Sequence, residues 1–190
     1  MRGGCSVTGF SADELKGQVE EGIERLARRY GLWLCVECGK CVAVCPMWEL
    51  FDGFVPEASP RRVIARVVRG LELAEHSGVW FCLTCDLCTN FCPAGVRFRD
   101  FVTAARQLII EAGVTEFGAF CRSCGAYLWP QHTVECLKRK LGETTEEFLV
   151  LCPRCRRYDF CEKVKALAPG KKVHTRTTQM AEGRSRGYCR

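Results

Sequence analysis

The sequence predicts a mainly α-helical protein in which cysteine-rich loops lie between helices, followed by a small α/β cysteine-rich module. Three observations predict this: helical stripes of apolar residues, a cysteine segment that occurs twice, and two separate Cys-x2-Cys pairs further along the chain. The chain has 190 residues, 47% of them apolar, so it can bury a core in one or two small domains. The expected divisions are an N-terminal arm and helix (1–30), a cysteine-loop domain (31–115), a cysteine-rich module (116–175) and a basic tail (176–190).

Three segments have the apolar periodicity of amphipathic helices, and we interpret their stripes as core packing. The predicted helices are 12–30, a segment that begins at Ser59-Pro60, and 98–112. The first begins at a capping box of Ser11 and Glu14, the second has Ser59 as N-cap and Pro60 at the first helical position, and the third ends at Gly113. The stripes are Leu15, Val19, Ile23, Leu26 and Tyr30; Val63, Ile64, Val67, Val68 and Leu71; and Phe98, Phe101, Val102, Ala105, Leu108 and Ile109.

The 16 cysteines are too many for an ordinary cytosolic chain unless most of them bind metal. A secreted, disulfide-linked domain is the other source of such a count, but the start MRGGCSVTGFSADELKGQ has no apolar segment typical of an export signal. The apolar run at 102–114 is interrupted by Arg106, Gln107 and Glu111, and no segment approaches the roughly 18 apolar residues that span a bilayer. We therefore expect a soluble, cytoplasmic protein without a membrane span, whose reduced thiols serve as ligands.

One cysteine segment occurs twice. Residues 31–46 read GLWLCVECGKCVAVCP and residues 78–93 read GVWFCLTCDLCTNFCP, an offset of 47 positions at which the Gly, the Trp, all four cysteines and the Pro coincide. Such agreement indicates a duplicated structural unit. Each copy contains Cys-x2-Cys-x2-Cys-x3-Cys-Pro, a spacing typical of 4Fe-4S clusters.

This spacing predicts two 4Fe-4S clusters. Three thiolates at intervals of three residues reach three irons of one cube, while the fourth Cys of such a run ligates the other cluster. The predicted ligands of cluster I are Cys35, Cys38, Cys41 and Cys92, and those of cluster II are Cys82, Cys85, Cys88 and Cys45. Zinc or structural disulfides are the alternative, although zinc sites use paired rather than quadruple spacing. Trp33 and Trp80, with Leu34 and Phe81, are expected to shield the clusters from water or to pack in the core.

The formal net charge is +6 when every cysteine is counted as neutral. A 4Fe-4S core in the 2+ state with four thiolates carries two negative charges, and so does a Zn²⁺ ion with four thiolates, so two clusters and one zinc site would offset the excess. Basic side chains are concentrated in residues 171–190, which are either a docking arm or a solvated segment. Only one aromatic residue, Tyr188, lies among these charges, so a nucleic-acid partner is not favoured.

The two motifs, with the helix SPRRVIARVVRGLEL between them, resemble the alpha-helical ferredoxin family over about residues 12–115. Within it they are most similar to the two-cluster iron–sulfur subunits of heterodisulfide reductase. A compact bacterial ferredoxin has a similar cysteine pattern but a shorter spacer that contains strands. The resemblance implies a subunit that relays electrons between a flavin-bearing partner and a cysteine-rich catalytic subunit acting on a disulfide or related substrate. The chain departs from the pattern of those two-cluster subunits by carrying a further cysteine-rich segment.

That further segment predicts a tetrathiolate site for zinc or iron, with no bound metal as the third reading. Residues 121–125 read CRSCG and residues 152–155 read CPRC, so the ligands would be Cys121, Cys124, Cys152 and Cys155. The intervening 27 residues exceed the usual spacing of about 15–20. The run EEFLVLCPRCRRYDFCEKVKALAPGKKVHT predicts strand, turn, helix and strand, and it resembles the second part of a CCG domain, of which CRSCGAYL would be a degenerate remnant.

Outside these sets, we expect Cys136 and Cys161 to behave as small buried hydrophobes and Cys5 and Cys189 to be free, with His132 as a candidate further ligand. The sequence contains no Gly-x-Gly-x-x-Gly, Walker-type loop or nucleophile elbow. We therefore expect an electron-transfer subunit without catalytic residues of its own. Two alternatives stay open: a fused catalytic subunit with redox-active thiols in the C-terminal module, and a redox-sensing nucleic-acid-binding iron–sulfur or zinc protein.

Overall fold

The computed structural model describes residues 12–73, 77–142 and 146–167, without the side chains of 12–16, 77, 146–147 and 166–167. The α-helices are α1 (Ala12–Arg29), α2 (Lys40–Ala43), α3 (Met47–Leu50), α4 (Pro60–Val68), α5 (Ser77–Phe81), α6 (Leu87–Asn90), α7 (Phe98–Glu111), α8 (Gln131–Leu141), α9 (Glu146–Leu149) and α10 (Pro153–Leu167). Two 3-10 turns, Leu32–Leu34 and Pro56–Ala58, precede the first cysteine loop and α4. The strands β1 (Gly118–Phe120) and β2 (Tyr127–Pro130) pair in a two-stranded sheet within the cysteine-rich region. The predicted fold class, mainly α with a small α/β cysteine-rich module, is confirmed.

The chain divides into two compact units. Unit 1 comprises Met1–Phe117 and Pro130–Cys136, and unit 2 comprises Gly118–Trp129 and Leu137–Arg190. Both repeats therefore belong to unit 1, and all four cysteines of the predicted tetrathiolate site belong to unit 2. The finer division into an N-terminal arm, two domains and a tail stays a prediction.

Within unit 1, α1 packs against α7 through the predicted apolar stripes. The buried side chains of these two helices include Ile23, Ala27, Phe98, Phe101, Val102, Ala105 and Ile109. Ser11 and the side chains of Glu14 and Leu15 lie outside the described residues. As predicted, α7 stops at Gly113, whose φ of 97° lies in the left-handed region that favours glycine. Among the described helices, none has both the length and the apolar character required to cross a membrane.

The helix between the repeats, α4, begins as predicted at Ser59 and Pro60 but is shorter than its apolar pattern suggested. Gly70, with φ 67°, ends it, and the Leu71 N–H donates to the Arg66 carbonyl oxygen (3.1 Å) in a Schellman arrangement. The side chain of Leu71 is therefore 48% exposed and does not join the buried stripe of α4. The prediction for Leu71 is wrong because the glycine turns the chain before this residue.

The predicted strand at 146–151 is also wrong. Residues 146–149 form the short helix α9, and the strands of the module lie earlier in the chain, where they flank the segment CRSCG. A short apolar run such as FLVL does not distinguish helix from strand by periodicity, which explains the error. The second predicted strand, near 171–174, lies outside the described residues.

A second apolar cluster in unit 1 lies beside the cysteine loops. Its buried members are Met47, Phe51, Phe54, Ala58, Phe81 and Cys136, and Cys45 and Leu83 pack against it. The ring of Phe81 makes edge contacts with Phe51 (centroids 5.6 Å apart) and Phe54 (5.9 Å). Aromatic pairs in this geometry are more favourable than their buried area alone implies. The cluster therefore gives Cys45 a water-poor neighbourhood.

Glycine at the start of each repeat serves a different purpose in each copy. Gly31 has φ 73°, a left-handed conformation. Its counterpart Gly78 lies in α5 against the chain before α4, where an added Cβ would approach the carbonyl oxygen and Cα of Ala58 to 2.9 and 3.1 Å. The second copy thus requires glycine for close packing rather than for backbone conformation.

We predict that Gly78→Ala lowers the free energy of unfolding by about 1–3 kcal/mol, because the added methyl group overpacks a backbone contact that cannot move aside. Gly53→Ala is the matched control, since nothing lies within 4 Å of the position that its added methyl group would take. Urea unfolding of the anoxically purified variants, followed by circular dichroism, measures both. Equal stability of the two variants would show that the close contact at Gly78 is not a constraint.

Candidate metal centres

Two adjacent cavities in unit 1 bring the repeat cysteines together. The first cavity is lined by Cys35, Cys38, Cys41, Cys88 and Cys92. The second is lined by Cys45, Cys82, Cys85 and Cys88. Each cavity thus contains the first three cysteines of one repeat and the fourth cysteine of the other, as expected for the predicted crossed ligand sets. Because Cys88 lines both cavities, the two sites share a wall.

The two cysteine loops have the same backbone conformation at equivalent positions. Glu37 (φ 52°) corresponds to Thr84 (φ 55°), and Gly39 (φ 78°) corresponds to Asp86 (φ 70°). Three of these four residues are not glycine, for which a left-handed conformation is uncommon. Turns of this kind present backbone N–H groups to an anion, and here the Thr84 N–H donates to the Cys82 sulfur (3.4 Å). The loops are therefore built to surround a group with negative charge on its sulfur atoms.

Two of the cavity thiols, Cys41 and Cys45, resist ionisation. Burial, followed by the charges of Cys35, Cys38 and Cys92, raises the pKa of Cys41 to about 11. Burial, followed by Cys82 and Cys85 of the other repeat, raises the pKa of Cys45. The partners that act on Cys41 and Cys45 include cysteines of the opposite copy, which line the same cavities. Bound iron supplies the positive charge that makes such thiols lose their protons.

Arg106 is a feature of the second site that the sequence pattern did not lead us to expect. This residue lies on the apolar face of α7, is 5% exposed, and donates hydrogen bonds to the carbonyl oxygens of Val79 (2.8 Å from Nε), Trp80 and Cys82. In the sequence it is four residues after Val102 and three before Ile109, so it interrupts the apolar stripe. A charged residue on the buried face of a helix was the signal, because such a group requires partners in the core.

Each loop also carries an ion pair at its surface. The Arg61 guanidinium donates to the Glu37 carboxylate (2.8 Å) and holds the pKa of that carboxyl below its usual range. In the second loop, Arg99 pairs with Asp86 at 3.3 Å. Exposed pairs of this kind contribute little to stability, so their importance here is the local charge.

The four residues that were expected to shield the clusters or to pack in the core differ in exposure between the two copies. Trp80 is fully buried and stacks on Phe117 (centroids 5.5 Å apart), and Phe81 is 9% exposed. Their counterparts in the first repeat, Trp33 and Leu34, are 46% and 59% exposed. None of the four lines either cysteine cavity, so the pair in the second repeat packs in the core while the pair in the first is partly exposed.

In unit 2, the four predicted cysteines converge on one point. The sulfur atoms of Cys121, Cys124, Cys152 and Cys155 all lie within 4.8 Å of one another, and those of Cys124 and Cys152 are 3.7 Å apart. Tetrahedral Zn²⁺ with Zn–S bonds of about 2.3 Å requires sulfur atoms about 3.8 Å apart. The four thiols consequently fit a single tetrahedral ion, whereas the sulfurs of a cubane, each bound to a different iron, lie further apart.

The sequence folds locally to hold these thiols. Cys121 and Cys124 lie in the turn between β1 and β2, where the Gly125 N–H donates to the Cys121 carbonyl oxygen (2.8 Å). Cys152 and Cys155 lie at the start of α10, and the N–H of Cys152 donates to the Cys121 sulfur (3.3 Å). The long gap between the two pairs is occupied by β2, α8 and α9, which explains why it exceeds the usual spacing.

The thiols of this cluster differ in pKa. Burial acts to raise the pKa of Cys121, but hydrogen bonds from the backbone N–H groups of Cys152, Cys124 and Ser123 outweigh it and lower the pKa to about 6. The Ala126 N–H lowers the pKa of Cys124, but Cys121, burial and the remaining thiols together raise it to about 12. One thiol thus ionises readily while a neighbour retains its proton until a cation binds.

The other sequence candidates are not members of this four-cysteine group. His132 belongs to unit 1, where its ring stacks on Phe81 (centroids 4.3 Å apart). Cys136 is 7% exposed in the apolar cluster of unit 1, which confirms its interpretation as a small buried hydrophobe. Cys161 is half-buried on α10, and Cys5 and Cys189 lie outside the described residues.

Residues 31–96 match the family model described as the 4Fe-4S dicluster domain. The chain is an electron-transfer iron–sulfur protein. The matched dicluster domain contains both cysteine loops, α4 between them, and every cysteine that lines the two cavities. Neither the curated proteins nor the solved structures include a match to this chain.

We predict that the four-cysteine site of unit 2 binds one zinc ion per chain and that Cys124→Ser removes it, because a tetrahedral site that loses one thiolate holds zinc weakly. Cys161→Ser is the matched control: it removes another cysteine of unit 2 that is outside the cluster. Elemental analysis after treatment with dithionite measures the metal. Iron in place of zinc, or equal zinc in both variants, would contradict this assignment.

Proposed function

We propose that this chain is the electron-transfer subunit of a heterodisulfide-reductase-like oxidoreductase complex. In this proposal it relays electrons through two 4Fe-4S clusters between a flavoprotein and a cysteine-rich catalytic subunit, in the reducing environment of the cytoplasm. The observation that carries the proposal is the pair of adjacent cavities, each lined by cysteines drawn from both repeats. A protein that stores one electron needs only one such cavity, whereas transfer from one cluster to another needs two adjacent ones.

The crossed cysteines hold the two sites at a fixed, short separation. Cys92 leaves the second loop to line the first cavity, and Cys45 leaves the first loop to line the second. When bound, each 4Fe-4S cluster takes up or releases one electron. The residues of this chain set the distance between the sites, limit access of water to the second site, and place Cys88 in the shared wall.

Exposed apolar residues beside each loop support docking of two partners. Leu34 and Val36 are 59% and 68% exposed at the first loop, and Leu87 and Phe91 are 38% and 56% exposed at the second. Val36 and Leu87 also line the first and second cavity, respectively. Exposed apolar groups at an iron–sulfur site are suited to a protein partner that excludes water and approaches the cluster closely.

The alternatives have less support. A fused catalytic subunit would use the C-terminal cysteines in redox chemistry, but the 3.7 Å separation of the Cys124 and Cys152 sulfurs favours a structural ion. A nucleic-acid-binding role rests on the basic segment 171–190, which lies outside the described residues and has a single aromatic residue, Tyr188, among its charges.

The test is anoxic affinity purification of the tagged chain from its native host. We expect about eight irons per chain and a flavoprotein in the eluate, with clusters that accept electrons from reduced flavin. The double variant Val36→Glu with Leu87→Glu should retain iron but lose the flavoprotein, because carboxylates beside the loops oppose apolar docking.

Val55→Glu is the matched control, since Val55 is 44% exposed and outside the linings of both cysteine cavities. It should retain both iron and flavoprotein. Four or fewer irons per chain would refute the two-cluster relay, and steep salt-dependent binding of nucleic acid without any flavin would favour the redox-sensing alternative.

A further inference from the structure

Arg106 is a buried cation in the middle of α7. Arg106 is 5% exposed, and its neighbours on the helix, Val102, Ala105 and Ile109, are fully buried. Placing a guanidinium in such surroundings is costly unless its N–H groups are hydrogen-bonded. The hydrogen bonds that offset the cost of burying this guanidinium therefore indicate the role of Arg106.

The hydrogen bonds of Arg106 converge on the segment that leads into the second cysteine loop. Nε and one terminal nitrogen donate to the Val79 carbonyl oxygen (2.8 and 2.5 Å), and that same nitrogen reaches the carbonyl oxygens of Trp80 and Cys82. Val79 and Trp80 belong to the last turn of α5, and the carbonyl groups at the end of a helix require partners from elsewhere in the protein. Arg106 caps this helix and fixes the backbone of Cys82, the first cysteine of the loop.

The charge of Arg106 also acts at this loop. Its guanidinium donates to the carbonyl oxygen of Cys82, so the positive charge lies against the backbone of a predicted ligand of the second cluster. The first loop has a different kind of arginine: the side chain of Arg61 is 42% exposed and is paired with Glu37. A charge in the core is screened much less than a solvated one. The two otherwise similar loops consequently differ in their electrostatic environment.

We propose that Arg106 is a positioning residue that raises the reduction potential of the cluster held by Cys45, Cys82, Cys85 and Cys88. This inference rests on the proposed function. When that cluster accepts one electron, its charge becomes more negative by one, and the nearby buried guanidinium stabilises the reduced state. Arg106, which lies outside both cysteine motifs, thereby gives the two clusters of the relay different reduction potentials.

The experiment is a potentiometric titration of the anoxically purified full chain, with the reduced clusters followed by electron paramagnetic resonance. Arg106→Gln keeps an amide donor for the carbonyl groups, Arg106→Met is a second neutral variant suited to the apolar surroundings, and Arg106→Lys keeps the charge. Cys85→Ser identifies which reduction step belongs to the second site. Arg25→Gln is the matched control: its side chain is exposed, it pairs with Glu21, and it lies outside the linings of both cysteine cavities.

In the neutral variants we expect the reduction potential of the step identified by Cys85→Ser to fall by at least about 59 mV. This shift is a tenfold change in the one-electron reduction equilibrium constant. Arg106→Lys should retain most of the wild-type value, and Arg25→Gln should shift either step by less than about twofold, because solvent screens that charge. A purely structural cap would not produce this charge-dependent rescue.

An unchanged second step in both neutral variants, or an equal shift of both steps, would overturn the role of Arg106 while leaving the relay intact. A wild-type chain with no reducible cluster would instead overturn the proposed function and this inference together.

Discussion

The structure depends on bringing buried thiols together although burial and their mutual repulsion oppose their ionisation. Burial and the charges of neighbouring cysteines raise the pKa of Cys41 to about 11 and that of Cys88 to about 12. Such groups ionise only when a cation compensates them, so metal binding and folding of the loops are coupled. The helices around the loops provide the apolar contacts, and the bound metal provides the charge that the cavities lack. The same reasoning applies to the four thiols of unit 2, where the pKa of Cys124 is raised to about 12.

The two cysteine loops are more alike in backbone conformation than in the residues that surround them. The left-handed positions recur in both loops, at Glu37 and at Thr84 47 residues later. Around them the copies diverge: Trp33 is exposed while Trp80 is buried, and an exposed arginine at one loop contrasts with the buried Arg106 at the other. The two loops therefore share a backbone conformation but lie in different surroundings, and the surroundings of an iron–sulfur cluster influence its reduction potential.

Much of the candidate site could be predicted from the sequence because cysteine spacing on a loop is a local property. The motif indicated which thiols would meet in each cavity, and glycine indicated where α7 ends. Features set by tertiary packing could not be predicted. The partners of Arg106 are carbonyl groups more than 20 residues away, the Schellman turn at Gly70 excluded Leu71 from its stripe, and residues 146–149 became a helix although their pattern fitted a strand.

The most direct test of the interlocked dicluster site is whether Cys92 serves the cluster of the other repeat. The measurement is electron paramagnetic resonance of the dithionite-reduced Cys92→Ser variant, beside Cys35→Ser and Cys85→Ser as references for the first and second site. Crossed ligation predicts that Cys92→Ser alters the same signal as Cys35→Ser and leaves the other signal intact. Alteration of the signal that Cys85→Ser alters would show that each repeat ligates its own cluster, which would contradict the crossed arrangement.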